Sequence, residues 1–394
     1  MTPRFTADQV RAWRMARCLD FDQPVDADTV VRRLAGVQAQ VASCAEQAVA
    51  VRGAGLGAVS AALHDRTLMR TWAHRGTLHV LPVDEAPAHL ALLAAARTWE
   101  KGSWQRTFAT AAQVAAITEA AADALENAEL TREELAAAIL DRTGDDSLRG
   151  LLGSGWGTLL KPLAWQGVLC NGDPAPDGAK VTFTSPASRF PGWSGLPDPD
   201  VAAATVIPAY LGAHGPATPA AFDQWLLRGG SRRAAVKRWF GELVAAGELT
   251  EVEVDGERRH ARTADLDALA DARPTGRVVL LPAFDQLVLG PGTAAAELLD
   301  PTRRPQVSRA GGWIAPVIVR DGRVVGTWEP AGDRVDVTVF PEEAPVAGLD
   351  EAVAALRAAL RWTRDGAGPV MAYRPAAARA SMRNRTAVHP RASR

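Results

Sequence analysis

The segment LAGVQAQVAS, residues 34–43, contains two glutamines, Gln38 and Gln40, that flank the small residue Ala39. A glutamine amide offers one carbonyl acceptor and two N–H donors, but it has no proton to exchange near neutral pH. Two such amides can hold and orient a water molecule, although neither is an effective general base. The pair suits a hydrolysis in which the leaving group departs without help from an acid.

The two amides can share this task only where the backbone is extended. Residues two apart on a helix point about 200° away from each other, whereas in an extended segment they face the same side. Gly36 precedes the pair, and Ser43 is a candidate cap for the next helix, SCAEQAVAVR. We predict that the helix frays or ends within residues 38–42, so that both amides face one cleft. A DNA base alkylated at purine N7 fits this chemistry, because it is cationic and leaves as a neutral molecule.

The composition predicts a large core and a reducing compartment. The 394 residues are 47% hydrophobic, which is enough for two or three domains. Cysteine occurs only at Cys18, Cys44 and Cys170, which are too scattered and too few for a disulfide framework. The N-terminus lacks a signal-peptide pattern, and no run of about 20 apolar residues is present to span a membrane. We therefore expect a cytoplasmic protein without a membrane segment.

Several common catalytic motifs are absent from the sequence. It has no HExxH, no paired CxxC and no histidine pair at ligand spacing, so metal catalysis is not expected. It also has no G-x-S-x-G nucleophile elbow. We expect the protein to work without a metal or a cofactor.

The order of helix caps and hairpins predicts an α+β fold with three tandem winged helices, each a helix-turn-helix followed by a two-stranded hairpin. The first unit, residues 1–95, contains the Gln-x-Gln segment and a hairpin, LMRTWAHRGTLHVLP, that turns at Arg75-Gly76. The second unit, residues 96–198, has a capping box at Thr131 and Glu134 and two predicted strands, VLCNG and KVTFTSP.

The third unit, residues 199–272, is the clearest copy. A helix begins at the cap Thr218, and a later hairpin turns at Asp255-Gly256. Residues 273–372 predict a small α+β segment with a β-hairpin that turns at Asp321-Gly322 and a closing helix. Residues 373–394 form a basic tail, rich in arginine and alanine, which we predict to be flexible. The tail is either an arm that contacts DNA or a disordered end.

Clustered cations indicate where the chain would contact phosphate. Formal net charge is −1, and lysine occurs at only four positions, so nearly every cation is arginine, which suits phosphate recognition. The predicted contacts lie in the first hairpin, around the third helix of the third unit and at the turn of the C-terminal hairpin: Arg70, His74, Arg75, Arg228, Arg232, Arg233, Lys237, Arg238, Arg320 and Arg323. Each group also has a competing interpretation. The helix of the third unit could be a solvated face, the first hairpin could be an aromatic core around Trp72, and the C-terminal hairpin could be an exposed turn.

Three segments in this order, VQAQ, TWAHRGTLHVLP and LLPAFDQLVLG, resemble the bacterial winged-helix DNA glycosylases of the AlkZ type. The resemblance extends to about residue 372 and implies three winged helices in a C-shaped arrangement around a basic channel. The catalytic Gln–apolar–Gln element of that family matches Gln38, Ala39 and Gln40. Its R-G-T-L-H segment matches residues 75–79.

The resemblance implies a monofunctional DNA glycosylase that cleaves the N-glycosidic bond of N7-alkylated purines. It further implies unhooking of interstrand crosslinks, in DNA repair and in self-resistance to a DNA-alkylating natural product. We expect a cytoplasmic, nucleoid-associated monomer that acts on double-stranded DNA with alkylated purines. Two alternatives remain open at this point: a winged-helix regulator that is not an enzyme, and a resistance protein that sequesters the drug itself. Only a glycosylase would leave abasic sites in alkylated duplex that alkali then cleaves.

Overall fold

The computed structural model describes residues 2–153, 157–174, 180–332 and 334–361 of the chain. Within these ranges the fold combines many helices with four small sheets of three or four strands. The mixed α+β class predicted from the sequence is confirmed. The predicted basic tail, residues 373–394, lies outside the described residues.

The N-terminal region, residues 2–95, begins its first two helices at side-chain caps. Thr6 and Gln9 form a capping box at the start of the first helix, and the Asp26 carboxylate accepts the Thr29 N–H at the start of the second. Its elements are β1 (Arg4–Phe5), α1 (Ala7–Leu19), α2 (Ala27–Arg33), β2 (Val37–Gln38), α3 (Ala42–Ala50), α4 (Ala58–His64), β3 (Leu68–Trp72), β4 (Leu78–Pro82) and α5 (Ala86–Ala95). Strands β2, β4 and β3 form an antiparallel sheet in that order.

The middle region, residues 96–198, is built in a similar way around a second three-stranded sheet. The predicted capping box of Thr131 and Glu134 is confirmed, and both predicted strands are present. Its elements are α6 (Gly102–Thr107), α7 (Ala111–Leu125), β5 (Glu129–Thr131), α8 (Arg132–Thr143), α9 (Arg149–Leu152), α10 (Leu160–Trp165), β6 (Cys170–Asn171), β7 (Thr182–Thr184) and α11 (Pro186–Arg189).

The third region, residues 199–272, follows the sequence prediction closely. Thr218 caps a helix by accepting the Ala221 N–H, and the hairpin turns at Asp255-Gly256. Its elements are α12 (Pro199–His214), α13 (Pro219–Leu227), α14 (Arg233–Ala245), β8 (Leu249–Val254), β9 (Glu257–Arg262) and α15 (Leu266–Asp271).

The start of the chain packs on the third region, which the predicted boundaries did not anticipate. Strand β1 pairs in parallel with β8, so the third sheet has three strands. Phe5 and Trp13 share a hydrophobic cluster with Val252 and Leu269. A parallel pairing across about 250 residues has no local signal, so the sequence placed residues 4–13 with the first unit.

The C-terminal region, residues 273–361, contains a four-stranded antiparallel sheet in sequential order. Its elements are β10 (Val278–Leu281), α16 (Gln286–Leu289), α17 (Arg304–Val307), β11 (Val317–Arg320), β12 (Arg323–Ala331), β13 (Arg334–Val339) and α18 (Leu349–Ala359). The predicted turn at Asp321-Gly322 is present, but it does not project into solvent. Gly322 is buried, and a Cβ at this position would lie 2.5 Å from the Arg11 carbonyl oxygen of α1.

A buried ion pair fixes the C-terminal region against the N-terminal region. The Arg52 guanidinium donates to both carboxylate oxygens of Asp285, at 2.8 and 2.9 Å, and neither side chain is exposed. Arg52 also donates to the Cys18 carbonyl at 2.7 Å, while Asp285 accepts the Leu287 N–H at the start of α16. The pair thus joins α1, the end of α3 and α16 at one point.

Four histidines are buried together between the N-terminal and third regions. His74 and His89 share a hydrogen bond of 2.9 Å, and the His74 ring lies 4.1 Å from the Trp225 ring, centroid to centroid. Burial lowers the pKa of His79 to about 3, that of His89 to about 4 and that of His214 to about 3. Burial also holds the pKa of His74 well below its ordinary value, so all four rings are neutral near pH 7.

Loss of one member of the Arg52–Asp285 pair should be strongly destabilising. Arg52→Met leaves the Asp285 carboxylate buried without a counter-charge, and we expect the free energy of unfolding to fall by about 3–5 kcal/mol. Urea denaturation followed by circular dichroism measures this loss. Arg97→Met is the matched control, because Arg97 pairs with Glu100 at the surface and should cost less than about 1 kcal/mol. Equal losses in the two variants would contradict the stated role.

The buried histidines should make the protein less stable as the pH falls. The unfolded chain binds protons on these rings near pH 6.5, whereas the folded chain does so only near pH 3 to 4. Stability is therefore full above pH 6.5 and declines below it, by up to about 1.4 kcal/mol per pH unit for each histidine. Urea denaturation between pH 8 and pH 4.5 checks this slope. His89→Gln should make it shallower, while the exposed His64→Gln control should not.

Candidate active-site cleft

The Gln-x-Gln segment is held in an extended conformation by the hairpin of β3 and β4. Helix α2 ends at Arg33, and Gln38 lies opposite His79 in the β2–β4 register. The Ala39 N–H donates to the Leu78 carbonyl at 2.8 Å, and the Leu78 N–H donates to Gln40 Oε1 at 3.2 Å. The backbone is extended at Gln38 as predicted, but the helix ends at Arg33, earlier than the predicted residues 38–42.

Arg70 of β3 supports the same segment from the other strand. Its Nη2 donates to the carbonyl oxygen of Ala39 at 3.1 Å, the residue between the two glutamines. The guanidinium has no carboxylate partner in the described part of the chain, and burial lowers its pKa. Arg70 therefore positions the backbone of the glutamine segment, where the sequence predicted a phosphate contact.

The two glutamines differ in exposure and in hydrogen bonding. Gln38 is only 6% exposed, and its Oε1 is buried without a hydrogen-bond partner among the described residues. Gln40 is exposed, with its Oε1 engaged by Leu78. An unsatisfied buried carbonyl costs about 1–3 kcal/mol, and such an atom marks a place where a water molecule or a ligand can be held.

Gln38 lies on the wall of a cleft of about 770 Å³. The walls come from the β3–β4 turn, from α12 and α13, from β9 and from the segment that follows α16. Cations outnumber carboxylates among the lining residues, which include Arg14, Arg75, Arg228, Arg259, Arg304, Glu257 and Glu297. The excess of positive charge favours a polyanion such as DNA. Gln40 does not line this cleft, which differs from the prediction that both amides face one cleft.

Both carboxylates of the cleft are already engaged by arginine. Glu297 lies 3.3 Å from the Arg14 guanidinium and 2.9 Å from that of Arg259. Burial favours the neutral acid, but the charges of the two arginines outweigh it and lower the pKa of Glu297. Glu257 pairs with Arg259 at 3.0 Å. Neither group is placed to act as a free general acid.

Glu46, the carboxylate nearest to the glutamines in sequence, has a structural role. Its Oε1 accepts the Ser60 N–H at 2.7 Å, and its Oε2 accepts the Gly57 N–H at 3.0 Å. These bonds hold Glu46 at the start of α4, where it satisfies free N–H groups. It is therefore unavailable as a base for the Gln-x-Gln segment.

Among the predicted phosphate contacts, Arg75 and Arg228 lie in the cleft. Arg75 Nη1 donates to the Trp225 carbonyl at 3.2 Å, whereas Nη2 is buried without a partner in the described structure. Burial, together with the charge of Arg228, lowers the pKa of Arg75 to about 10. Arg232, Arg233 and Lys237 are exposed on or beside α14 and remain predicted phosphate contacts.

Besides Arg70, four further predicted phosphate contacts are corrected by the structure. His74 is 1% exposed, inside the histidine cluster, so it cannot reach a phosphate. Arg238 pairs with Asp200 at 2.6 Å and with Glu242 at 3.0 Å. Arg320 and Arg323 both pair with Glu343, at 2.5 and 3.1 Å, beside the turn that packs on α1. These guanidinium charges are neutralised within the fold, by carboxylates that sequence spacing did not single out. Trp72 is likewise buried, as the aromatic-core interpretation held.

Several cations at the cleft were missed at the sequence level: Arg14, Arg259 and Arg304 line it, and Lys161 lies at its edge. Lys161 of α10 lies beside the β3–β4 turn, with its Nζ 3.8 Å from where a Cβ on Gly76 would be. It is half-buried, and burial together with the charge of Arg228 lowers its pKa. Its rarity as one of four lysines was the available signal. Its position beside Arg75 depends on tertiary packing.

The described ranges contain no group of three or more His, Cys, Asp or Glu side chains arranged to hold a metal ion. No helix there is long and apolar enough to cross a membrane.

Comparison with known proteins agrees with the sequence resemblance. The family model of AlkZ-like DNA glycosylases matches residues 31–385. An interstrand DNA cross-link repair glycosylase of Streptomyces sahachiroi is 46% identical over 355 residues, which cover 88% of this chain and 94% of that protein. The solved structure of Streptomyces sahachiroi DNA glycosylase AlkZ matches with a TM-score of 0.85 at 44% identity, and covers 90% of this chain and 97% of the other.

These matches extend over nearly the whole described fold, including the glutamine segment, the hairpin of β3 and β4 and the cleft. The resemblance first drawn from three short segments is therefore confirmed for the chain as a whole. The chain belongs to the family of AlkZ-like DNA glycosylases, and it is an enzyme that hydrolyses N-glycosyl bonds in DNA.

Proposed function

We propose that this glycosylase releases N7-alkylated purines from double-stranded DNA, and that Gln38 and Gln40 are its catalytic residues. The observation that carries the proposal is the Gln38 carbonyl, which is buried and unpartnered on the wall of a positively charged cleft. The amides hold a water molecule against C1′ of the sugar. Their carbonyl dipoles also stabilise the positive charge that develops on the sugar as the base departs.

The leaving group needs no acid in this mechanism. An N7-alkylated guanine is cationic while attached to the sugar and becomes neutral when the bond breaks. The carboxylates of the cleft, Glu257 and Glu297, are paired with arginine, in keeping with a reaction that uses no general acid. The protein supplies orientation and electrostatics, and water supplies the nucleophile.

The substrate is held by the cations of the cleft and of α14. We propose that the N-terminal, middle and third regions are winged-helix units arranged in a C shape, and that duplex DNA lies along its basic inner face. Arg75 and Arg228 in the cleft, with Arg232, Arg233 and Lys237 on the third region, contact phosphates. The enzyme acts as a monomer on the bacterial nucleoid, without a cofactor.

Crosslinked DNA is included among the proposed substrates. The Streptomyces sahachiroi relative is named an interstrand DNA cross-link repair glycosylase. A cleft of about 770 Å³ lies in the size range of pockets that enclose drug-sized ligands, so a purine with a bulky adduct has room. We infer that the enzyme unhooks crosslinks that join N7 atoms and protects a host from an alkylating natural product.

Replacement of both glutamines should abolish excision but leave DNA binding within a few fold. Gln38→Ala and Gln40→Ala remove groups that act on the reaction, not on phosphate. We expect each to raise the barrier by roughly 2.7–4 kcal/mol, the cost of losing one preorganised donor in other hydrolases. Single-turnover assays on a duplex with one N7-methylguanine measure the rate, and fluorescence anisotropy measures binding.

Gln105→Ala is the matched control for this test. Gln105 Oε1 accepts the Ala111 N–H at 3.0 Å, as Gln40 Oε1 accepts the Leu78 N–H, but Gln105 lies outside the cleft. The control should keep the wild-type rate. If excision persists in the double glutamine variant, Gln38 and Gln40 are not the catalytic residues.

Excision should be confined to bases that leave as neutral molecules from a cationic state. N7-alkylguanine and, more slowly, N3-alkyladenine should be released, whereas uracil, 8-oxoguanine and ethenoadenine should not, because no acid is placed to protonate them. The rate should also lack an acidic limb, since neither amide titrates. A panel of duplexes with single lesions, assayed for alkali-labile abasic sites between pH 5.5 and 8.5, tests both points.

The same panel separates the other functions considered for this chain. Release of a neutral base at a comparable rate would mean that an acid acts in the cleft, contrary to the two-glutamine mechanism. Tight binding to duplex without abasic sites would favour a regulator. Protection of DNA only when the free alkylating agent is present would favour sequestration of that agent.

A further inference from the structure

Three cations from three different regions meet at the turn between β3 and β4. Arg75 belongs to the turn itself, Arg228 ends α13 and Lys161 comes from α10 of the middle region. Arg75 and Arg228 line the cleft beside Gln38. The Cδ and Nζ atoms of Lys161 lie 3.6 and 3.8 Å from where a Gly76 Cβ would be, one residue from Arg75.

Arg75 and Lys161 are partly buried and Arg228 is exposed, and none of the three has the counter-charge that buried arginines of the described fold have. Arg52 is paired with Asp285, Arg14 with Glu297, and Arg189 with Glu129. No carboxylate pairs with Arg75, Lys161 or Arg228 within the described ranges. Like charges drawn together away from water destabilise a fold unless a group of opposite charge joins them.

The missing counter-charge affects the pKa values and the hydrogen bonding of the individual cations. Burial and the charge of Arg228 lower the pKa of both Arg75 and Lys161. Arg75 Nη2 is buried without a partner in the described structure. The fold thus presents unsatisfied donors at one point of the cleft, which is the arrangement that an anion completes.

We propose that Lys161, Arg75 and Arg228 together clamp one phosphate of the DNA backbone next to the nucleotide that Gln38 addresses. The inference rests on the proposed function, and it assigns Lys161 a role as a positioning residue. A phosphodiester carries one negative charge and offers two free oxygens, which suits a guanidinium fork beside a compact ammonium group.

Arg75 of the clamp and the two glutamines are connected through the hairpin of β3 and β4. Arg75 lies three residues before Leu78, which bonds to both Ala39 and Gln40. A phosphate seated at Arg75 is therefore held at a constant offset from the water-binding amides. Because the three cations come from three regions, a phosphate bound by all three also fixes the position of each region relative to the duplex.

The test uses salt dependence, because each neutralised phosphate contributes a slope of about 0.9 in the logarithmic plot of affinity against salt. The probe is a duplex with one 2′-fluoro N7-methylguanosine, whose glycosidic bond resists hydrolysis. We expect Lys161→Gln to reduce the slope by less than this value, because Arg75 and Arg228 still face the same phosphate, and Lys161→Arg to restore it. The control is Lys180→Gln, an exposed lysine 3.8 Å from Glu133, which should leave the slope unchanged.

A phosphate scan then locates the contact. Each phosphate around the lesion is replaced in turn by an uncharged methylphosphonate. The wild type should lose about tenfold in affinity at one position adjacent to the lesion, while Lys161→Gln should lose clearly less at that position and as much as the wild type at the others. Equal losses at every position in both proteins would overturn the clamp.

Two measurements keep a folding defect or a failed function distinct from a failed clamp. Wild-type protein, with and without the duplex, is treated with a lysine-selective acylating reagent and mapped by mass spectrometry; Lys161 should be protected by DNA and Lys180 should not. An unprotected Lys161 would overturn the clamp even if the variant fails to fold. If Lys161 is protected but N7-methylguanine is never released from ordinary duplex, the clamp stands and the proposed lesion specificity fails.

Discussion

The buried pair of Arg52 and Asp285 is the interaction on which the geometry of the cleft depends. It brings together residues 233 positions apart, and its desolvation cost is tolerable only because each charge is fully hydrogen-bonded. Asp285 also caps α16, the helix after which Leu289 and Gly290 form one wall of the cleft. The end of α3, which follows the glutamine segment, is thus tied directly to the opposite wall.

The arginines of the described structure differ in their partners. Several have carboxylates within hydrogen-bond distance, as Arg14 and Arg259 share Glu297. Those that face the cleft at the β3–β4 turn, Arg75 and Arg228, have none in the described structure. A chain with a net charge of −1 can therefore present a locally basic surface, because many of its carboxylates pair with arginines elsewhere in the fold.

The two glutamines and the histidine beside them are neutral, although arginines line the same cleft. Gln38 and Gln40 do not titrate, and burial keeps the neighbouring His79 uncharged by lowering its pKa to about 3. None of these three groups is an acid near neutral pH. They are compatible with the release of a base that is already cationic, but they cannot protonate an ordinary base.

Helix caps and turns were predictable from the sequence because each depends on residues a few positions apart. The caps at Thr131 and Thr218 and the turn at Asp255-Gly256 belong to this class. The Gln-x-Gln segment was singled out for the same reason, since the chemistry of two amides at that spacing is local. With the two later segments, it was enough to name the family.

Tertiary structure alone decided which side chains face the cleft. The parallel pairing of β1 with β8, the burial of His74, the pairing of Arg320 with Glu343 and the approach of Lys161 to Arg75 all join residues far apart in sequence. A cation looks the same in a sequence whether a carboxylate or a phosphate will meet it. Only the packing of the whole chain determines which arginines are neutralised within the fold and which remain to bind DNA.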